Sequence, residues 1–181
     1  VEAATPLGRA VGEGRERPAD EGRYREEFLL AAEVLAAAGY EHYEVSNFAR
    51  PGHASRHNTV YWTGLPYLGL GNGAHSYAHP TRRWNVRGWD DYRSAVRDGA
   101  SPEEGRERLG QEEVRLESIW LGLRTRHGIG EAALGSPARQ IVMRWEQEGL
   151  ATCRGGRIRL TTEGWLVMDR LAVELDATDS A

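Results

Sequence analysis

Five of the six histidines, His42, His53, His57, His75 and His79, fall within about 40 residues, among Tyr40, Tyr43, Phe48, Tyr61, Trp62, Tyr67 and Tyr77. A flat, largely apolar ligand that carries a metal needs this combination: aromatic faces to stack on and an imidazole to reach the metal. Histidine and tyrosine also satisfy one another inside α/β cores, and clustering alone leaves both readings open. The string His57-Asn58-Thr59-Val60-Tyr61-Trp62 says more. Residues four apart share a face in a helix and in a strand, so His57 points with Tyr61, and Asn58 with Trp62, whichever form the chain takes. Core packing of Tyr61 and Trp62, with His57 bonded to a backbone carbonyl, would satisfy the same pattern.

The run Gly69-Leu70-Gly71-Asn72-Gly73-Ala74 lacks the G-x-G-x-x-G spacing and the following helix of a phosphate-binding loop. If residues 67–77 are extended, Gly69, Gly71 and Gly73 share one bare face that a planar group or another backbone can approach. Tight packing inside a barrel accounts for the same face. Arg56, Arg82 and Arg83 could take carboxylates through bidentate hydrogen bonds, or could be surface residues. Glu41 and Glu44 have too little around them to be an acid/base pair.

The elements that must position these residues follow from periodicity. Residues 1–20, rich in Gly, Pro and charge, read as an irregular connection. Tyr24, Phe28, Ala31 and Leu35 recur at helical spacing between a capping Asp20 and Gly39, predicting a helix over 21–38 whose stripe packs on the next element. Residues 40–47 alternate as a strand with polar groups on both faces, which suits a pocket wall. A loop at Pro51-Gly52, a short strand over 83–86, a helix over 89–97 and a flexible, charged linker over 98–110 follow. Beyond it, Leu116, Ile119, Trp120 and Leu123 mark a helix ended near Gly128. Ser136-Pro137 starts another, carrying Ile141, Met143 and Trp145 to Gly149. Arg154-Gly155-Gly156-Arg157 turns a hairpin, and Thr162 caps a last helix through Trp165, Met168 and Leu171. Helix, helix, hairpin, helix is a winged-helix-like order.

A chain of 181 residues, 40% hydrophobic and 28% charged, is ordinary for a folded soluble protein, as one domain plus a lobe. The net charge of -4 gives no global attraction to nucleic acid or to an anionic membrane. No apolar run reaches the roughly 20 residues of a membrane span, so a cytoplasmic location is expected. The single cysteine, Cys153, excludes an internal disulfide and cannot by itself hold an iron-sulfur cluster. A start at Val1, with Thr5-Pro6-Leu7-Gly8 close behind, suggests that upstream sequence is absent.

Motifs along nearly the whole chain resemble those of the HemW heme-chaperone family, a radical S-adenosylmethionine (radical-SAM) group related to oxygen-independent coproporphyrinogen III oxidase. They are YEVSNFARPG (43–52), SRHNTVYW (55–62), LGLGNGAHS (68–76), RRWN (82–85) and RLTTEGWLVMD (159–169), with ATPLGR at the start. HNTVYW fits the chaperone branch and not the true oxidases. The resemblance implies an α/β fold: residues 1–104 as the carboxyl-terminal part of a partial (β/α) radical-SAM barrel, and residues 105–181 as a small helical winged-helix-like domain. It implies a parent that binds a [4Fe-4S] cluster and S-adenosylmethionine, carries heme to recipient hemoproteins, and acts as a chaperone rather than as a coproporphyrinogen oxidase. His57 would then contact heme and its iron, Asn58, Tyr61 and Trp62 would shape the site, and Gly71, Gly73, Ala74 and His75 would line the adjoining pocket. It leaves room for peripheral membrane association and for a homodimer. Two departures stand out. The three-cysteine cluster motif is absent, so cluster binding and radical chemistry cannot belong to this chain alone. Asn72 stands where the family pattern has proline, which would restrict the backbone.

The sequence is compatible with two rival readings. One is a radical-SAM oxidase acting on a porphyrinogen, against which HNTVYW argues. The other is a nucleic-acid-binding winged helix using Arg139, Arg144, Arg154, Arg157 and Arg159. Glu146 and Glu148 on the same helix oppose it, and no nucleic-acid partner is expected.

Overall fold

The computed structural model describes residues 2–177. Thr5-Pro6 is a helix start: the Thr5 side chain accepts from the Gly8 N–H, Pro6 occupies the first turn, and α1 (Pro6–Gly12) replaces part of the expected irregular connection. Helix α2 (Glu21–Ala37) runs as predicted, with Asp20 accepting from the Arg23 N–H at 2.8 Å and Gly39 at φ +81° beyond its end. Its packed face is not the predicted stripe. Phe28, Leu29, Ala32 and Leu35 are half-buried, whereas Tyr24 and Ala31 are exposed. The cause is a narrow contact, since α2 touches β1 (Glu41–Glu44) and α7 (Thr162–Leu166) along one side, where Arg25 pairs with Glu163. A fully buried Phe28 would cost about 3–5 kcal/mol on truncation. Half-buried as it is, Phe28→Ala is expected to lower stability by about 1–2 kcal/mol in urea unfolding.

The expected strand over 40–47 is a hairpin. After β1 the chain turns at Val45-Ser46 into β2 (Asn47–Ala49), pairing His42 with Phe48. Glu44 makes the turn by accepting from the Ser46 N–H at 3.0 Å and from the Asn47 side-chain amide. Helix α3 (Arg56–Trp62) starts at Ser55, whose hydroxyl accepts from the Asn58 N–H.

Residues 67–77 are not one extended run. Tyr67 and Tyr77 exchange both backbone hydrogen bonds, and the chain reverses between them, with Gly71 at φ +108° and Gly73 at φ +66°. These glycines serve a turn, and Gly71→Val would strain the backbone itself rather than only a ligand face. Gly69 differs: a Cβ there would lie 2.1 Å from the His75 carbonyl oxygen, so this glycine answers a close backbone approach.

Strands β3 (His75–Ala78), β4 (Thr81–Asn85) and β5 (Glu103–Arg108) form an antiparallel sheet in that order, with α4 (Trp89–Arg97) between β4 and β5. The expected linker over 98–110 therefore contains an edge strand. Its sequence, Glu-Glu-Gly-Arg-Glu-Arg, shows no apolar alternation because its side chains satisfy charges across the ladder, Glu107 meeting Arg82 at 3.0 Å.

The large core lies farther along. Helices α5 (Gln111–Leu123) and α6 (Ser136–Gln147), strands β6 (Ile129–Gly130), β7 (Ala151–Arg154) and β8 (Arg157–Leu160), and α8 (Met168–Asp176) after α7 enclose Leu123, Trp145, Ile158, Leu171 and Leu175, all fully buried. The sheet order β6-β8-β7 with its flanking helices is the winged-helix-like arrangement, and β6, two residues long, has no periodicity to read. Gly155 and Gly156, both at positive φ, turn the hairpin as expected. Three details differ from expectation. Val142 rather than Met143 faces the core of α6, because the buried positions run Ala138, Val142, Trp145 at helical spacing. Thr161 rather than Thr162 caps α7, accepting from the Gly164 N–H. The last helix breaks at Val167, which sits at φ -120°.

Candidate functional site

Tyr43 on β1 holds α3 at both ends. Its hydroxyl accepts from the Ser55 N–H at 3.3 Å, and its ring lies 5.9 Å from that of Trp62. Within the helix, one turn brings His57 to Tyr61: the His57 Nε2 lies 3.1 Å from the Tyr61 hydroxyl, and the rings meet at right angles 5.0 Å apart. The shared face expected from the four-residue spacing is therefore present. His57 and Tyr61 are exposed, while Asn58 and Trp62 are half-buried.

From Tyr61 an aromatic series continues across the fold. Tyr61 meets Tyr67 edge-on at 4.6 Å, Tyr67 lies 6.2 Å from Tyr77, and the Tyr77 hydroxyl is 3.4 Å from Nδ1 of His79. These rings, with Trp62, line one side of a cleft of about 850 Å³ whose other side is α5, through Val114, Ser118 and Leu121. Arg82 crosses it, bound to Glu107 and to Glu117 of α5, and is thereby committed to carboxylates within the protein. Arg83 lies 3.9 Å from Glu103, and Arg56 is exposed.

The structure divides the sequence-predicted residues. Tyr61 and Trp62 join Tyr67 and Tyr77 in the cleft, with His57 bonded to its lining. Gly71, Gly73 and Ala74 lie at the turn, and His75 stands exposed on β3 beside Trp84, its ring 5.9 Å away; none of the four lines this cleft.

Sequence reasoning missed the fastening between the two halves. Glu44, fully buried, pairs with Arg124 just past α5, and Glu41 pairs with Arg126. Around them the Val45 N–H donates to the Arg124 carbonyl and the Arg126 N–H to the Tyr43 carbonyl, each at 3.1 Å. The signal was the polar side chains on both faces of 40–47, which need buried partners.

His42 packs between Phe48, stacked at 3.9 Å, and Trp165, edge-on at 4.3 Å. The Val45 carbonyl can only accept, so the Nε2–H donates to it at 3.1 Å, and the buried Nδ1 has no partner among the described residues. Burial pushes the imidazole below the usual histidine range, against the opposing pull of the Val45 carbonyl and Glu44. Above about pH 6.5 His42 is neutral in both folded and unfolded chains; below it the unfolded chain takes up a proton that the native state resists. Thermal stability is thus expected to fall as pH drops from about 6.5 toward about 5, and His42→Gln is expected to flatten that slope.

Among the described residues no group of three His, Cys, Asp or Glu side chains is placed to hold a metal ion. Cys153 donates to Glu131, and burial together with that carboxylate pushes its thiol up, away from the thiolate a metal needs. The residues present therefore do not fit a [4Fe-4S] cluster. Of the arginines on the winged-helix-like unit, Arg144 pairs with Glu148 and Glu174, and Arg157 donates to the carbonyls of His127 and Gly128.

The fold has a known counterpart. Over 89% of this chain and 42% of the other, it superimposes with a TM-score of 0.62 and 14% identity on the Escherichia coli coproporphyrinogen III oxidase HemN, a radical-SAM enzyme. The fold is therefore that of the corresponding part of this structure, with a winged-helix-like end. No family model matches the chain. Sequence similarity is more specific. The heme chaperone HemW of Mycobacterium tuberculosis is 37% identical over 169 residues, 93% of this chain and 43% of the relative. That of Synechocystis is 45% identical over 107 residues, 58% of this chain and 26% of the relative. The mitochondrial radical S-adenosyl methionine domain-containing protein 1 of Bos taurus is 30% identical over 97% of this chain and 44% of its own length. The chain is HemW-like, and it spans less than half the length of these relatives.

Proposed function

We propose that the protein to which this chain corresponds is a heme chaperone, binding heme and delivering it to hemoproteins. The observation that carries this is the HNTVYW helix, which brings His57 and Tyr61 together at the edge of an aromatic cleft. In this reading His57 contacts the heme iron through its imidazole, and Asn58, Tyr61 and Trp62 shape the surroundings. Gly71, Gly73, Ala74 and His75 form a neighbouring surface, with His75 the competing ligand. The [4Fe-4S] cluster and S-adenosylmethionine would be bound by residues other than these. The two-unit division at 104/105 remains part of the proposal, with its edge moved past Arg108 because β5 completes the sheet of the first unit. No helix among the described residues is long and apolar enough to cross a membrane. A cytoplasmic chaperone is proposed.

A second reading draws on the likeness to HemN: a radical-SAM oxidase acting on a porphyrinogen. Two measurements on the full-length protein separate them. A chaperone takes up stoichiometric heme, seen as a Soret band, and leaves coproporphyrinogen III unchanged with S-adenosylmethionine and a reductant. Turnover without heme uptake would replace the chaperone reading with the oxidase.

A further inference from the structure

We propose that the cleft between α3 and α5 receives the tetrapyrrole ring itself, so that the winged-helix-like unit supplies one wall of the heme site. This rests on the heme-binding reading above and adds where the macrocycle lies. Three observations carry it. The cleft, at about 850 Å³, has the size of small-molecule and cofactor sites, and its α3 side is built from Tyr61, Trp62, Tyr67 and Tyr77, rings suited to a flat aromatic ligand.

The opposite wall is a face of α5, reached from β4 by the ion pair of Arg82 with Glu117. Val114, Ser118 and Leu121 recur at helical spacing along α5 and line the cleft, Ile119 borders both the cleft and the core, and Leu123 of the same helix points into the buried core. Ser118 on this face is exposed, and Val114 and Leu121 are half-buried. Charge adds a third feature. Arg157 lines the cleft and donates only to the carbonyls of His127 and Gly128, with no carboxylate partner among the described residues. A guanidinium so placed can take a propionate.

The two walls are held at fixed spacing. Glu44 with Arg124, and the backbone hydrogen bonds joining Tyr43 and Val45 to residues 124–126, fasten the α3 side to the end of α5. His57 is one contact removed from the lining, its Nε2 bonded to the hydroxyl of Tyr61, which itself lines the cleft. Iron ligation at that nitrogen would release the Tyr61 hydroxyl from it.

The test is hemin titration of the full-length protein, read at the Soret band, with bulk added to the α5 wall. Ser118 and Gln111 are both exposed and both line the cleft; Glu112 is exposed on the same helix and does not. Ser118→Trp and Gln111→Trp are expected to raise the hemin Kd at least about tenfold, and Glu112→Trp to leave it within about twofold. Circular dichroism and matched melting curves confirm folding, and two blocking variants keep the test decisive if one of them does not fold. Wild-type affinity in a folded blocking variant would overturn the cleft and leave the chaperone reading standing. Failure of the wild-type protein to bind hemin would overturn that reading and the cleft with it.

Discussion

Arg124→Ala is expected to destabilise the fold by about 3–5 kcal/mol, the range for removing one partner of a buried ion pair. Glu44 has 0% exposure, and losing the guanidinium leaves its carboxylate buried with only the Ser46 N–H and the Asn47 amide. Arg124 also covers the Trp120 ring at 5.1 Å, so packing is lost with the charge. Urea unfolding of wild type, Arg124→Ala, Glu44→Gln and the double variant measures the coupling directly. A loss below about 1 kcal/mol for Arg124→Ala would show that the pair is not buried in solution. Paired replacement by apolar residues is expected to recover much of the loss, since an ion pair of this kind fastens more specifically than strongly.

The second large effect concerns ligand rather than stability. In the full-length protein, His57→Ala is expected to weaken heme binding at least about tenfold, and His75→Ala to change it little. His57 is an exposed side chain on α3 whose one polar contact there is with Tyr61, so its removal leaves the helix cap at Ser55 and the Tyr43 contacts in place. Loss of the Soret band with unchanged melting temperature is therefore attributable to the ligand. Unchanged binding in His57→Ala would defeat the proposed iron contact, and loss confined to His75→Ala would move the site to β3.

Legibility in the sequence followed the length and self-sufficiency of each element. Helix α4 and the β7–β8 hairpin matched expectation because their signals are local: helical spacing over 89–97, and Gly155-Gly156 at positive φ. The run at 67–77 failed for a physical reason. Alternating glycines fit both an extended face and a turn, and only the pairing of Tyr67 with Tyr77 decides between them. Strand β5 falls where the sequence predicts a linker, because its stability comes from charges on β4, which the segment itself does not reveal. The stripe on α2 was displaced because the side it presents is chosen by β1 and α7, not by its own pattern.

By itself the sequence determined that His57 and Tyr61 must share a face, since spacing by four aligns side chains in any regular backbone, and that the last third folds as helices around a hairpin. It also determined that one cysteine cannot supply a cluster. Only the tertiary structure decided that 40–47 is a hairpin anchored by a buried carboxylate, that Tyr61 and Trp62 meet Tyr67 and Tyr77, and that α5 stands across from them. The physical reason is range. Caps, turns and periodicity act over a few residues, whereas Glu44 with Arg124 and Tyr43 with Ser55 join segments that no local preference brings together.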